Sequence, residues 1–202
     1  MMRTLKILLF LFISCLCFGC QSSLRRESRI EKQDDVYVLS FANLSFSVSA
    51  GKGGRIVSFK CEDRELLTSD SVHSKYYGAT FWLSPQSEYW PQYQCVDELP
   101  YQAEIDKQIL RLVSPPDSIS GVSVTKEFSI SERDSSILIH YSVRNVSRQL
   151  KRLAPWDVTR VYGGLSFFPV GETDQMNKSD VTGGYEDKGM VWVPCPDGTN
   201  ER

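Results

Sequence analysis

Apolar and polar residues alternate with a period of two along most of this chain, which leaves few folds open to it other than layered antiparallel sheets. Val122, Val124, Phe128 and Ile130 fall on one face of a strand, with Lys126 as the exception. Ile137, Ile139, Tyr141 and Val143 do the same on the next strand, and Ser131-Glu132-Arg133-Asp134-Ser135 links the two as a hairpin turn. Earlier strands are expected at 36–41, 44–49, 55–60 and 108–113, and later ones at 153–161, 165–168 and 190–193. Gly51-Lys52-Gly53-Gly54 supplies positive φ between two of them. No stretch carries a sustained helical period with caps. Strands recur about every 10 residues with turn signals between them, which predicts an all-β antiparallel sandwich or barrel. After 190–193 the chain runs through Pro194-Cys195-Pro196 to Arg202 with no return strand, so an open sheet edge is expected.

The N-terminus reads as a processing signal. Arg3 and Lys6 form a positive leader, and 7–18 is an uncharged, mostly apolar run. That run is shorter than the roughly 20 residues of a membrane span and suits the h-region of a secretory signal. Gly19 then precedes Cys20. The pattern resembles a bacterial lipoprotein signal, in which Cys20 would become the lipidated first residue. It departs from that signal at Cys17, where leucine is usual, and at bulky Phe18. A secreted protein with Cys20 as an ordinary residue is the alternative. Residues 1–19 are thus read as signal peptide, 20–35 as lipidated cysteine and polar tether, and 36–202 as the β-sandwich domain. Gln21 stands where enterobacterial inner-membrane lipoproteins carry aspartate, which favours the outer membrane of a bacterial envelope.

Charge excludes one class of partner. Without Arg3 and Lys6 the 23 basic residues become 21 against 25 acidic ones, a net −4. No Lys/Arg cluster is interleaved with aromatics, so nucleic-acid binding is not expected. Beyond Cys20 the cysteines are Cys61, Cys95 and Cys195. None lie at metal-finger spacing, and no metal or cofactor is expected. An oxidising envelope permits one disulfide among them, and free thiols are the other possibility.

Two blocks carry the chemistry. Gly78-Ala79-Thr80-Phe81-Trp82-Leu83-Ser84-Pro85-Gln86-Ser87-Glu88-Tyr89-Trp90-Pro91 and Ala154-Pro155-Trp156-Asp157-Val158-Thr159-Arg160 both set tryptophan beside polar planar groups and proline. A sugar ring lays its C–H face on an aromatic plate while its hydroxyls take amide, carboxylate or guanidinium contacts. Tryptophan beside proline also plugs cores at strand ends. The candidate ligand-binding residues are Trp82, Gln86, Trp90, Trp156, Asp157 and Arg160. On a strand, Trp156 and Arg160 share one side and Asp157 the other. Trp82, Gln86, Trp90, Trp156 and Arg160 are expected to line one cleft. His140 is expected on a strand surface and His73 in a solvated loop.

Gly54-Arg55-Ile56-Val57-Ser58-Phe59-Lys60 followed by Glu65-Leu66-Leu67, and the strand at 137–143 with its Arg144-Asn145-Val146-Ser147 turn, are similar to segments of aldose 1-epimerases, the galactose mutarotases. The two tryptophan blocks and Gly163-Gly164-Leu165-Ser166-Phe167-Phe168-Pro169 more closely resemble an uncharacterised family of bacterial, often lipid-anchored proteins in that superfamily. The resemblance spans about residues 36–193. It implies a large antiparallel supersandwich with a sugar cleft on a concave face, here incomplete at its C-terminal strands. Mutarotation needs one group to take the anomeric proton and another to protonate the ring oxygen. The resemblance places these on a histidine after the Asn-x-Ser turn and a glutamate on a late strand. No histidine follows His140, so no catalytic residue carries over. The expected function is carbohydrate binding without chemistry, by a protein held at the membrane through its lipid. The alternatives are an enzyme acting on a sugar or uronate through Asp157 or Glu88, and a structural envelope protein without a ligand.

Overall fold

The computed structural model describes residues 28–91, 93–171 and 183–195. The signal peptide, Cys20 and the first part of the tether lie outside the described residues, as does the side chain of Cys195. The described residues form antiparallel sheets with two single-turn helices. The larger sheet runs β1 (Arg29–Gln33), β2 (Val36–Phe41), β3 (Leu44–Ser49), β4 (Arg55–Cys61), β6 (Ala79–Ser84), β11 (Ala154–Thr159), with β5 (Arg64–Glu65) folded back on β4. A four-stranded sheet is ordered β10 (Ser136–Asn145), β9 (Val122–Ser131), β8 (Ile109–Val113), β7 (Gln102–Asp106). A third sheet joins β12 (Gly164–Pro169), β14 (Met190–Cys195) and β13 (Tyr185–Asp187). Helices α1 (Gln86–Tyr89) and α2 (Gln94–Asp97) follow β6. Among the described residues no helix is long and apolar enough to cross a membrane.

The first two sheets enclose the core. Leu39, Phe46, Val48, Phe81 and Leu83 from the larger sheet meet Leu110, Leu112, Val122, Val124 and Phe128 from the smaller one. The alternating residues of β9 point inward as their spacing predicts, and Ser131–Ser135 turns the chain into β10. Lys126 belongs to the same inward face and is only 1% exposed. The folded part starts earlier than expected. Residues 29–33, expected in the tether, form β1, which pairs with β2 from Arg29↔Ser40 to Gln33↔Val36. The hairpin is closed by Asp34 at φ +56°, and Ile30 packs against the core.

Two glycines set close approaches. Gly53 has φ +61°, and a Cβ there would collide with the backbone of Asp97. The 51–54 turn therefore lies directly on α2, joined by Gly53 N–H to Leu99 C=O at 3.1 Å. Gly78, at φ +62°, packs against the Ile56 carbonyl. Both positions need the freedom only glycine has. Cys61 and Cys95 are free thiols. His140 is exposed on β10, an edge strand of its sheet. His73 is exposed, its Nδ1 accepting from the backbone N–H groups of Lys75 and Tyr76 at 3.1 and 3.0 Å.

Candidate ligand-binding site

Strands β6 and β11 pair over their full lengths although about 70 residues separate them, with Trp156 directly opposite Trp82 and Val158 opposite Thr80. These four lie on the face turned away from the core, since Ala79, Phe81 and Leu83 are the core residues of β6. Trp82 is the hub. Its ring centroid lies 5.4 Å from Trp156, 5.2 Å from Trp90 and 6.1 Å from Tyr76, each near edge-to-face. That arrangement matches the ring quadrupole and rigidifies the group.

Arg160 follows β11. Its backbone is held on both sides, N–H to Gly78 C=O at 3.0 Å and C=O from Thr68 N–H at 2.9 Å. The guanidinium then stacks 5.3 Å from the Trp82 ring and 5.6 Å from Tyr76, and donates to Thr80 Oγ1 at 3.1 Å. Burial pulls Arg160 below its usual pKa, and Asp97 pulls it back up.

Asp97 joins these parts. Its Oδ2 accepts from Arg55 Nη2 at 3.0 Å and from Trp82 Nε1 at 3.2 Å. Both members of the Arg55–Asp97 pair are buried, their side chains 5% and 7% exposed. Arg55 also donates to Lys75 C=O at 2.8 Å and stacks on Tyr77 at 4.8 Å. Two buried polar atoms in this pair have no partner, Arg55 Nε and Asp97 Oδ1. Burial pushes the Asp97 carboxyl upward, and the pull of Arg55 and the Trp82 hydrogen bond offset only part of that.

Beside Asp97 a slot is lined by Lys75, Tyr76, Trp82, Trp90, Pro91 and Glu98. Trp90 forms its open wall at 45% exposure, against 6% for Trp82. Of the candidates from sequence, Trp82, Trp90, Trp156 and Arg160 are brought together around the Trp82 ring, but of these only Trp82 and Trp90 line the slot. Gln86 is not among them. It stands exposed on α1 and does not line the slot. Asp157 faces the other way, where its Oδ2 accepts from Tyr141 OH and its Oδ1 from Thr159 Oγ1, both at 2.9 Å. It ties β11 to β10, because a strand shows alternate residues to opposite layers.

The sequence reasoning missed Asp97, Arg55 and Tyr76. Asp97 ends a single-turn helix and Tyr76 lies in a loop, neither with any periodicity, and Arg55 opens the strand expected at 55–60. Lys126 did leave a signal, as the one charge on an apolar strand face. Its ammonium donates to Gly53 C=O at 2.6 Å and Gly54 C=O at 3.4 Å between the rings of Phe81 and Tyr101. Burial pulls its pKa down to about 7, with Asp97 and Asp157 opposing. Glu65 shows how a carboxylate looks when it is fully used. It accepts from Ser58 Oγ and from the N–H groups of Phe59, Leu66 and Leu67. Burial alone would raise its pKa, but those bonds outweigh it and lower the value.

Among the described residues no group of His, Cys, Asp and Glu is placed to hold a metal ion. Comparison with known proteins finds no matching family model, no matching curated protein and no matching solved structure.

Proposed function

We propose that this protein is an envelope lipoprotein whose galactose mutarotase-like domain binds a carbohydrate without transforming it. The observation that carries the reading is the slot itself. An exposed plate, Trp90, stands over a buried aromatic hub, and the Lys75 and Glu98 side chains, 60% and 42% exposed, line the same slot. A saccharide offers a C–H face for Trp90 and hydroxyls that can accept from Lys75 and donate to Glu98. Hub and strands hold the plate in place beforehand, which lowers the ordering cost of binding.

Binding alone is favoured over catalysis by the placement of the acids. Glycoside hydrolysis needs two carboxyl groups flanking the scissile bond. The slot's carboxylates, Asp97 and Glu98, are consecutive residues on one wall. Asp97 is paired with Arg55, and Glu98 lies 3.4 Å from Lys75. Asp157 is engaged in the other layer, and Glu88 is exposed on α1.

A glycan array probed with the full chain tests the reading. Specific saccharide spots are expected, with affinity weakened by about 1–3 kcal/mol in Trp90→Ala, the scale of an aromatic contact. Spots that keep full intensity with Trp90→Ala, or an array with no spots, would reject the slot as a sugar site.

A further inference from the structure

A second, wider cleft lies next to the slot. The two share Lys75, Asp97 and Glu98, and the second adds Lys52, Arg55, Ser74 and Tyr77 around about 260 Å³. That is slightly below the roughly 300–1,000 Å³ of drug-sized sites and suits one further sugar unit. Three cations line it against two carboxylates. Lys52 is the least committed of them. Its ammonium donates to the Tyr77 hydroxyl at 3.0 Å, and among the described residues it forms no ion pair. Hydrogen bonding to Tyr77 holds its pKa above the usual lysine value, so it is charged at neutral pH. Arg55 lines the cleft and donates through Nη1 to Lys75 C=O and through Nη2 to Asp97, and each of these nitrogens carries a second N–H.

We infer that the second cleft receives a carboxylate, so that the ligand is an acidic saccharide: one unit stacks on Trp90 while the carboxylate of a neighbouring uronate unit lies between Lys52 and Arg55. The inference rests on the carbohydrate reading above and adds the ligand's charge. A carboxylate offers two acceptor oxygens, which suits one lysine and one guanidinium donor. Beyond the Lys52–Tyr77 contact a third cleft is lined by Asp35 and Asp70 as well as Lys52 and Tyr77. Those acids repel an anion on that side, which confines the carboxylate to the Arg55 side.

The test is a titration of the full chain with three oligosaccharides of equal length: neutral, uronate-containing and sulfated. The uronate form should bind about tenfold or more tighter than the neutral one, the scale of one charge-assisted hydrogen bond. That preference should shrink as salt rises. Lys52→Met should bring uronate affinity down to the neutral level, and Lys52→Arg should keep the preference. Equal binding of neutral and uronate forms overturns the charge assignment and leaves the slot as a sugar site. A sulfated form preferred over the uronate overturns the carboxylate in favour of a sulfate ester. Equal weakening of neutral and uronate binding by Lys52→Met shows that the lysine only supports the fold and overturns its role. If none of the three binds, the carbohydrate reading fails and this inference with it.

Discussion

Strand β6 shows the logic of the molecule on its two faces. Phe81 and Leu83 point into the sandwich, are 1% and 0% exposed, and belong to the apolar cluster, where Phe81 packs on the Tyr141 ring. Thr80 and Trp82 point the other way and are almost as buried, at 0% and 6%. Their neighbours are Arg55, Asp97, Arg160 and aromatic edges. Burial therefore does not separate core from site. The partners do: Trp82 donates to Asp97, which is itself paired with Arg55, whereas Phe81 and Leu83 lie in the apolar cluster. A core face is complete when its volume is filled, whereas a site face is complete only when its polar atoms are paired.

The sharpest way to break this contrast is to cut each face once. Phe81→Ala should cost about 3–5 kcal/mol by leaving a cavity. Asp97→Ala should cost a similar amount, about 3–5 kcal/mol, by stranding the buried Arg55 guanidinium. Urea denaturation would give both as equal losses with different remedies. Adding Arg55→Met to an Asp97→Leu variant should recover most of the loss, because an apolar pair carries no desolvation cost. No recovery would mean that the polar face is held by something other than this ion pair.

Lys126 is the exception on the core face, and pH exposes it. Its folded pKa of about 7 lies below the ordinary 10.5. Between those values the unfolded chain holds a proton that the folded chain does not. Stability should therefore rise with pH from about 7 toward 9 by a few kcal/mol, and then level off, because burial holds the Cys95 thiol up at about 11. Above 10 the gain reverses, because Tyr101 and Tyr141 hold their protons longer folded than unfolded. Lys126→Met should flatten the rise, read from denaturation midpoints across the series. A slope that survives the substitution would assign it to another group. A smaller effect belongs to Trp90, which is packed on Trp82 but 45% exposed. Trp90→Ala should cost only about 1 kcal/mol of stability. A melting shift as large as that of Phe81→Ala would make Trp90 a core residue after all.

These two faces also explain what could be read in the sequence. The β9–β10 hairpin was legible because each strand has one apolar and one polar side, so alternation survives in the letters. Strand β6 was not legible as a strand, since Ala79 to Leu83 are buried on both faces and show no alternation. Strand β1 escaped because Arg29, Glu31 and Lys32 crowd around a single packed apolar residue, Ile30. Trp82, Trp90, Trp156 and Arg160 could be grouped by shared chemistry, without the register that puts Trp156 opposite Trp82. Asp97 could not. It is placed by the close approach of Gly53 to its backbone, which a Cβ would block and which no local pattern records.

The account's central claim is that the open edge of the Trp82 face takes a sugar. Acrylamide quenching of tryptophan fluorescence, with and without saturating saccharide, tests it most directly. Trp90 is the exposed tryptophan among the described residues, so bound saccharide should shield it and lower the quenching. The same comparison in Trp90→Ala should show no change on adding saccharide. Quenching unaltered at saturation would place the sugar elsewhere and contradict the account.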